Sequence, residues 1–214
     1  MIKRTWKTLV ITSVMILLPI LAGVILWNRL PEQIPTHWNA AGEIDSLSSK
    51  PFAVFGMPLI MLGFQWLCVL GTGADPKKYN HSDKILHLVL WIIPVINTLL
   101  SALIYAAALG KEVKMEMIMP VFVGLVLAIV GNYLPKCKQS YTIGIKIPWT
   151  LNSEANWNAT HRFAGKFWFV GGLLMLPCSF LPSFWPAIAF MAIALVMVIV
   201  PIVYSWRFYK KESL

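Results

Sequence analysis

Long apolar runs separated by short polar stretches dominate this chain. Six windows approach the roughly 20 apolar residues needed to cross a hydrocarbon core of about 30 Å: 8–27, 51–71, 85–109, 115–134, 163–181 and 184–205. None alternates apolar with polar positions as the strands of a membrane barrel do, so each is expected as a helix. Met115 and Glu116 blur the edge of the fourth window, and the fifth holds Lys166, whose stem can snorkel to the interface. The first window is long for a signal-peptide core and no small-residue cleavage site follows it, so it is expected to be retained. The predicted fold is all-α integral membrane, a bundle of six transmembrane helices.

Composition agrees with that pattern. Charged residues are 13% of the 214 positions and hydrophobic residues 58%, against roughly 25% charged in an ordinary soluble domain. The formal net charge of +9 raises nucleic acid as a partner, but the placement of the charges argues for topology. One set of loops and both termini hold Lys3, Arg4, Lys7, Lys77, Lys78, Lys84, Lys136, Lys138, Lys146, Arg162, Lys166, Arg207, Lys210 and Lys211. The other set holds Arg29, Lys50, Lys111 and Lys114, mixed with Glu32, Glu43, Asp45 and Glu112. By the positive-inside rule both termini are cytoplasmic, and no direct nucleic-acid partner is expected. Cys68, Cys137 and Cys178 are scattered, with neither a disulfide framework nor metal spacing. No metal and no cofactor is expected, and the lipid bilayer is the first partner.

Two loops are long enough to carry a site. The outer one, residues 28–50, reads NRLPEQIPTHWNAAGEIDSLSSK. Pro31 and Pro35 disfavour helix, so the chain leaves the membrane extended. Gly42 is expected at a positive-φ turn and Trp38 at headgroup level. His37 beside Asp45 could bind a metal or sense pH; without a second ligand at close spacing, a loop-packing histidine is the simpler reading. His37, Trp38, Gly42, Glu43 and Asp45 are the candidate outer site. Other connections are short, such as Pro182-Ser183 between the last two windows.

The inner loop leads into IGIKIPWTLNSEANWNATHRFAGKFW, residues 143–168. Ile143 to Ile147 favours an extended segment that Pro148 ends. Asn152 or Ser153 can then cap a helix, with Glu154 in its first turn. Trp157, His161, Gly165, Trp168 and Gly172 recur at helical spacing along one face. The whole insert is expected as an interfacial collar, tryptophans at lipid level and basic groups toward anionic headgroups. The glycines at 165, 171 and 172 could permit close helix approach, or simply reflect tight packing.

At these residues the chain resembles the SdpI family of bacterial membrane proteins. The family run N-x-x-I-G-I-R-T-P-W-T-L-x-x-E-x-x-W-x-x-T-H-R-x-x-G is matched by Ile143, Gly144, Ile145, Pro148, Trp149, Thr150, Leu151, Glu154, Trp157, Thr160, His161, Arg162 and Gly165. Ser140, Lys146 and Ile147 depart from it, and lysine at 146 loses the planar fork of arginine. Leu30-Pro31, Ile34-Pro35, His37-Trp38, Gly42 and Ser49-Lys50-Pro51 resemble the family's short N-terminal domain. The chain thus divides into a two-span unit, 1–71, and a four-span unit, 72–214. The resemblance implies a multi-pass protein of the bacterial cell membrane giving immunity to a secreted, membrane-active peptide toxin. It also implies possible signalling, in which the toxin-occupied protein holds a cytoplasmic ArsR-type repressor at the membrane. The candidate inner residues are Asn132, Gly144, Lys146, Pro148, Trp149, Thr150, Glu154, Trp157, His161, Arg162 and Gly165.

Two other function classes compete. A small transporter would place ionisable groups at mid-membrane, whereas the spans offer Gln65, Asn97 and Thr98, which suit hydrogen bonds between helices. An intramembrane enzyme would need a nucleophile with its base, or a metal pair. His161 with Glu154, Asn132 and Lys146 is the polar group worth testing for acid–base chemistry, and no catalytic residue is assigned.

Overall fold

The computed structural model describes residues 2–181 and 185–212, and the Pro182-Ser183 connection lies outside them. The elements are α1 (Ile2–Ile25), β1 (Gln33–Trp38), β2 (Ile44–Ser49), α2 (Met57–Ala74), α3 (Asp83–Ala108), α4 (Met115–Tyr133), α5 (Pro148–Asn152), α6 (Glu154–Cys178) and α7 (Trp185–Glu212). A π-helical turn, Phe52–Gly56, leads into α2. The protein is an all-α membrane bundle that carries one small hairpin, because β1 and β2 pair antiparallel within the 28–50 loop. Leucines such as Leu21, Leu67 and Leu195 are more than half exposed. That outward apolar surface suits lipid, since hydrocarbon lets a helix turn leucine outward at no cost.

Among the described residues five helical segments are long and apolar enough to cross a membrane: Arg4–Ile25, Phe52–Ala74, Asp83–Ala108, Met115–Lys136 and Trp185–Glu212. They match five of the six expected windows. The remaining window, 163–181, lies mostly on α6, which has 25 residues; Arg162 and Lys166 in its first half dilute its hydropathy.

The chain forms two compact units, one of residues 1–73 with 86–115, the other of 74–85 with 116–214. The sequence division at residue 71 follows the loop motifs, whereas packing joins most of α3 to the first two helices.

In the first unit, polar groups at membrane depth bond across helices. Gln65 Nε2 donates to Thr12 Oγ1 at 2.8 Å, Asn97 Nδ2 to the Ile16 carbonyl at 2.9 Å, and Tyr105 Oη to the Pro19 carbonyl at 3.0 Å. Gln65 and Asn97 therefore act as the sequence suggests, while buried Thr98 Oγ1 has no partner. The hairpin's base is seated by Leu30 and Ile34, which join Ala53, Val54, Ile104 and Tyr105 in one apolar cluster.

In the second unit, α4 and α6 touch backbone to backbone through two glycine pairs. A Cβ on Gly172 would stand 2.5 Å from the Gly124 carbonyl oxygen, and one on Gly131 would stand 2.8 Å from that of Gly165. The pairs run antiparallel, Gly124 against Gly172 and Gly131 against Gly165. Small residues bring membrane helices close enough for dispersion to hold them where lipid supplies no hydrophobic drive. Toward α7, Trp168 Nε1 donates to the Met197 carbonyl at 2.9 Å. Close helix approach is thus the role of Gly165 and Gly172.

Gly131→Ala and Gly172→Ala are expected to destabilise the second unit by about 1–3 kcal/mol through overpacking. Gly63→Ala, whose Cβ meets nothing within 4 Å, should be neutral or mildly stabilising through helix propensity. Thermal unfolding in detergent separates the three.

Candidate functional site

The inner motif folds into a sealed assembly over the start of α6. Thr150 begins it: its Oγ1 accepts from Ile147 N–H at 3.1 Å and lies 2.7 Å from the Ile145 carbonyl oxygen, to which it donates. Ser153 caps α6, its Oγ accepting from Asn156 N–H at 3.1 Å, and Glu154 sits in the first turn as expected. Downstream of this cap Trp157 and His161, one turn apart, are both buried, with ring centroids 4.0 Å apart and stacked. Trp157 Nε1 donates to the Cys137 carbonyl at 2.8 Å.

His161 joins the loop to the helix. Ile145 N–H can only donate, and it lies 2.9 Å from His161 Nε2. Nε2 is therefore the bare nitrogen, and Nδ1 carries the proton that it donates to the Trp157 carbonyl at 2.8 Å. Burial pushes the pKa of the imidazole down to about 4, only partly opposed by the Trp157 carbonyl. Gly144 passes over both rings with φ +126°, and a Cβ there would stand 2.6 Å from His161 Nε2 and 2.6 Å from Trp157 Cζ2. Its position demands glycine twice over, by backbone angle and by space.

The motif thus splits in two. Gly144, Thr150, Trp157 and His161 are brought together around Ile145, while Gly165, one turn further along α6, packs against Pro135 and Gly131. Lys146, Pro148, Glu154, Arg162 and Asn132 are exposed and Trp149 is half-buried. The collar reading is corrected for Trp157, which is 0% exposed and holds the loop rather than meeting lipid.

Sequence reasoning missed the groups that tie this loop down. Asp75 is buried; its Oδ1 accepts from Lys77 N–H at 2.7 Å. Its Oδ2 accepts from Tyr141 N–H at 3.0 Å and Thr142 Oγ1 at 2.7 Å, with His81 Nε2 at 3.6 Å. Burial alone would raise the Asp75 pKa; the hydrogen bonds from Thr142, Lys77 and Tyr141, with His81, outweigh it and hold the carboxylate below its ordinary value. Gln139 completes the tie, accepting from Lys77 Nζ and donating to the Thr150 and Leu151 carbonyls at 2.8 and 2.9 Å. Asp75-Pro76 is a turn-starting pair, the signal that could have flagged this segment. Asn156 was also missed: it donates to the Ser205 carbonyl at 2.9 Å and accepts from Thr160 Oγ1 at 2.9 Å, joining α6 to α7.

The outer candidates lie on the hairpin. Gly42 has φ 82° at its turn, as expected. Asn39 Oδ1 closes the turn by accepting from Ala41 and Glu43 N–H at 2.9 and 3.0 Å, and Asn39 Nδ2 donates to Glu43 at 2.9 Å. His37 is not packed inside the loop; its side chain is 67% exposed and meets Asp45 at 2.5 Å across the strands. Trp38 packs against the apolar cluster. Among the described residues no group of three His, Cys, Asp or Glu side chains could hold a metal ion.

Two tests follow from this geometry. Gly144→Ala should release the loop, seen as faster amide exchange at Ile145. Acid should do so as well: a pKa lowered from 6.5 in the open loop to about 4 when packed means stability is full above pH 6.5 and is lost as pH falls toward 4. At pH 5 the loss is about 2 kcal/mol, and unfolding followed at pH 7.5 and pH 5 should show it in the native chain and less of it in His161→Asn.

Comparison with known proteins bears on both loops. A family model described as the SdpI/YfhL protein family matches residues 136–205, and one described as a domain of unknown function (DUF1648) matches residues 14–62. Immunity protein SdpI of Bacillus subtilis (strain 168) is 28% identical over 209 residues, which is 96% of this chain and 97% of that protein. No solved structure matches the chain. With the glycine-roofed Trp157–His161 assembly inside the matched segment and the likeness running nearly end to end, the chain is similar to the SdpI/YfhL family within its second half and to an SdpI immunity protein over 96% of its length.

Proposed function

We propose that this protein is a membrane immunity protein that protects its cell from a secreted, membrane-active peptide toxin. The observation that carries this reading is the likeness, over 96% of the chain, to a protein named for immunity. In this reading α6 serves as the fifth of six crossings and both termini are cytoplasmic, in keeping with the loop distribution of lysine and arginine. The hairpin then faces outward and meets the toxin, and the inner assembly faces the cytoplasm. Signalling adds a second state: toxin occupancy favours one arrangement of the inner loop, which holds an ArsR-type repressor at the membrane. Such coupling requires toxin to bind one arrangement better than the other.

The chemistry of His161 supports binding over catalysis. Both its nitrogens are engaged by backbone groups and its ring is buried under Gly144, so neither nitrogen is offered to a substrate. The exposed Lys146, Glu154 and Arg162 are the groups available to a cytoplasmic partner.

The test is survival of a sensitive strain, lacking its own immunity gene, in culture supernatant of Bacillus subtilis strain 168. Expression of this protein is expected to raise survival at least 100-fold, and His161→Ala to lower that protection while membrane insertion persists. No rise in survival with the native chain present in the membrane would overturn the reading.

A further inference from the structure

The hairpin has two edges, and they differ. Lys50 N–H donates to the Glu32 carbonyl at 2.9 Å, in register with the pairings Gln33 to Ser49, Ile34 to Ser48 and Pro35 to Leu47. In an antiparallel ladder hydrogen-bonded pairs alternate with non-bonded ones. The pairs of Glu32 with Lys50 and Ile34 with Ser48 are therefore the bonded ones. It follows that Leu47 and Ser49 direct their N–H groups away from β1, as does the Leu47 carbonyl. Pro35 sits at the equivalent position on the other strand and has no N–H to offer.

The β1 edge is thus blunted by proline and seated on its apolar cluster through Ile34. The β2 edge has neither protection. Every residue of β2 except Ser48 is exposed, Leu47 by 54%. Among the described residues no hydrogen bond outside the ladder engages Leu47 N–H or C=O. Edge strands are usually covered or broken by lysine or proline because they invite another chain to pair. Here the strand is bare.

Charge narrows what could pair with it. Between Glu32 and Ser49 every formally charged residue is acidic: Glu32, Glu43 and Asp45. Lys50, which follows, is buried and held by Glu32 at 2.8 Å. The edge therefore disfavours an acidic partner and favours a basic one.

We propose that β2 takes up an extended, cationic segment of the secreted toxin as a third antiparallel or parallel strand, through the Leu47 N–H and C=O and the Ser49 N–H. Main-chain bonds supply attachment, and Glu43 and Asp45 supply charge complementarity. This rests on the immunity reading and adds the mode of recognition to it.

The experiment uses the full chain in the sensitive strain, challenged with peptide purified from the Bacillus subtilis strain 168 supernatant by its killing activity. Leu47→Pro removes an N–H that the ladder does not use, so the hairpin persists, and it is expected to lower protection at least tenfold. Leu47→Ala keeps that N–H and should lose far less. Glu43→Gln, which can still accept from Asn39, should weaken protection severalfold, and most at low salt. If the native chain gives no protection, the immunity reading falls and the edge proposal with it. If the native chain and Leu47→Pro protect equally, the immunity reading stands and the edge proposal is overturned. Equal losses in Leu47→Pro and Leu47→Ala overturn it in favour of lipid contact by the leucine side chain. Toxin-independent disulfide dimers of Leu47→Cys overturn it in favour of pairing with a second copy.

Discussion

A neutral imidazole holds the inner loop in place. His161 accepts from Ile145 N–H and donates to the Trp157 carbonyl, so one ring satisfies the loop it covers and the helix it stands on. An irregular segment packed against membrane helices must answer every backbone group from within the protein, because an unpaired group in that setting costs as much as a lost hydrogen bond. Thr150, Gln139 and Asp75 answer the Ile145 carbonyl, the Thr150 carbonyl and the Tyr141 N–H. Gly144 is the steric condition of the arrangement, since any side chain there would displace the rings beneath it. A charged imidazole would lose the Ile145 bond, so burial and that bond select the neutral form against the opposing pull of the Trp157 carbonyl.

The same economy of space governs the second unit as a whole. Four glycines let α4 and α6 approach until backbone meets backbone, and α7 is joined to α6 by Trp168 and by the Asn156 to Ser205 bonds. The long motif therefore reads as two things at once. Its small and aromatic members build a rigid support, and its charged members, Lys146, Glu154 and Arg162, stand on the surface of that support.

Legibility in the sequence followed the range of the interaction involved. Spans were readable because hydrophobicity over about 20 residues is a local property. The Ser153 cap, Glu154 in the first turn and the Gly42 turn were readable because their causes lie within a few residues. The hairpin was legible only as extended chain leaving the membrane; its pairing brings Thr36 and His37 to partners twelve and eight residues on. Asp75 escaped notice because its partners, Tyr141 and Thr142, are distant in sequence. Trp157 was misplaced at lipid level because tryptophan serves equally as an interfacial ring or as a buried donor, and composition does not distinguish them. Its bond to the Cys137 carbonyl does.

By itself the sequence determined the medium, the helical character, the loops that bear chemistry and the family motif, since each is written in short-range patterns of polarity, charge and turn residues. Tertiary structure alone decided which motif residues are buried and which are presented, that α3 packs with the first two helices, that α4 and α6 meet at glycine, and that one hairpin edge is closed while the other is bare. Those outcomes depend on steric fit and on hydrogen-bond partners supplied by remote segments, which no local pattern encodes.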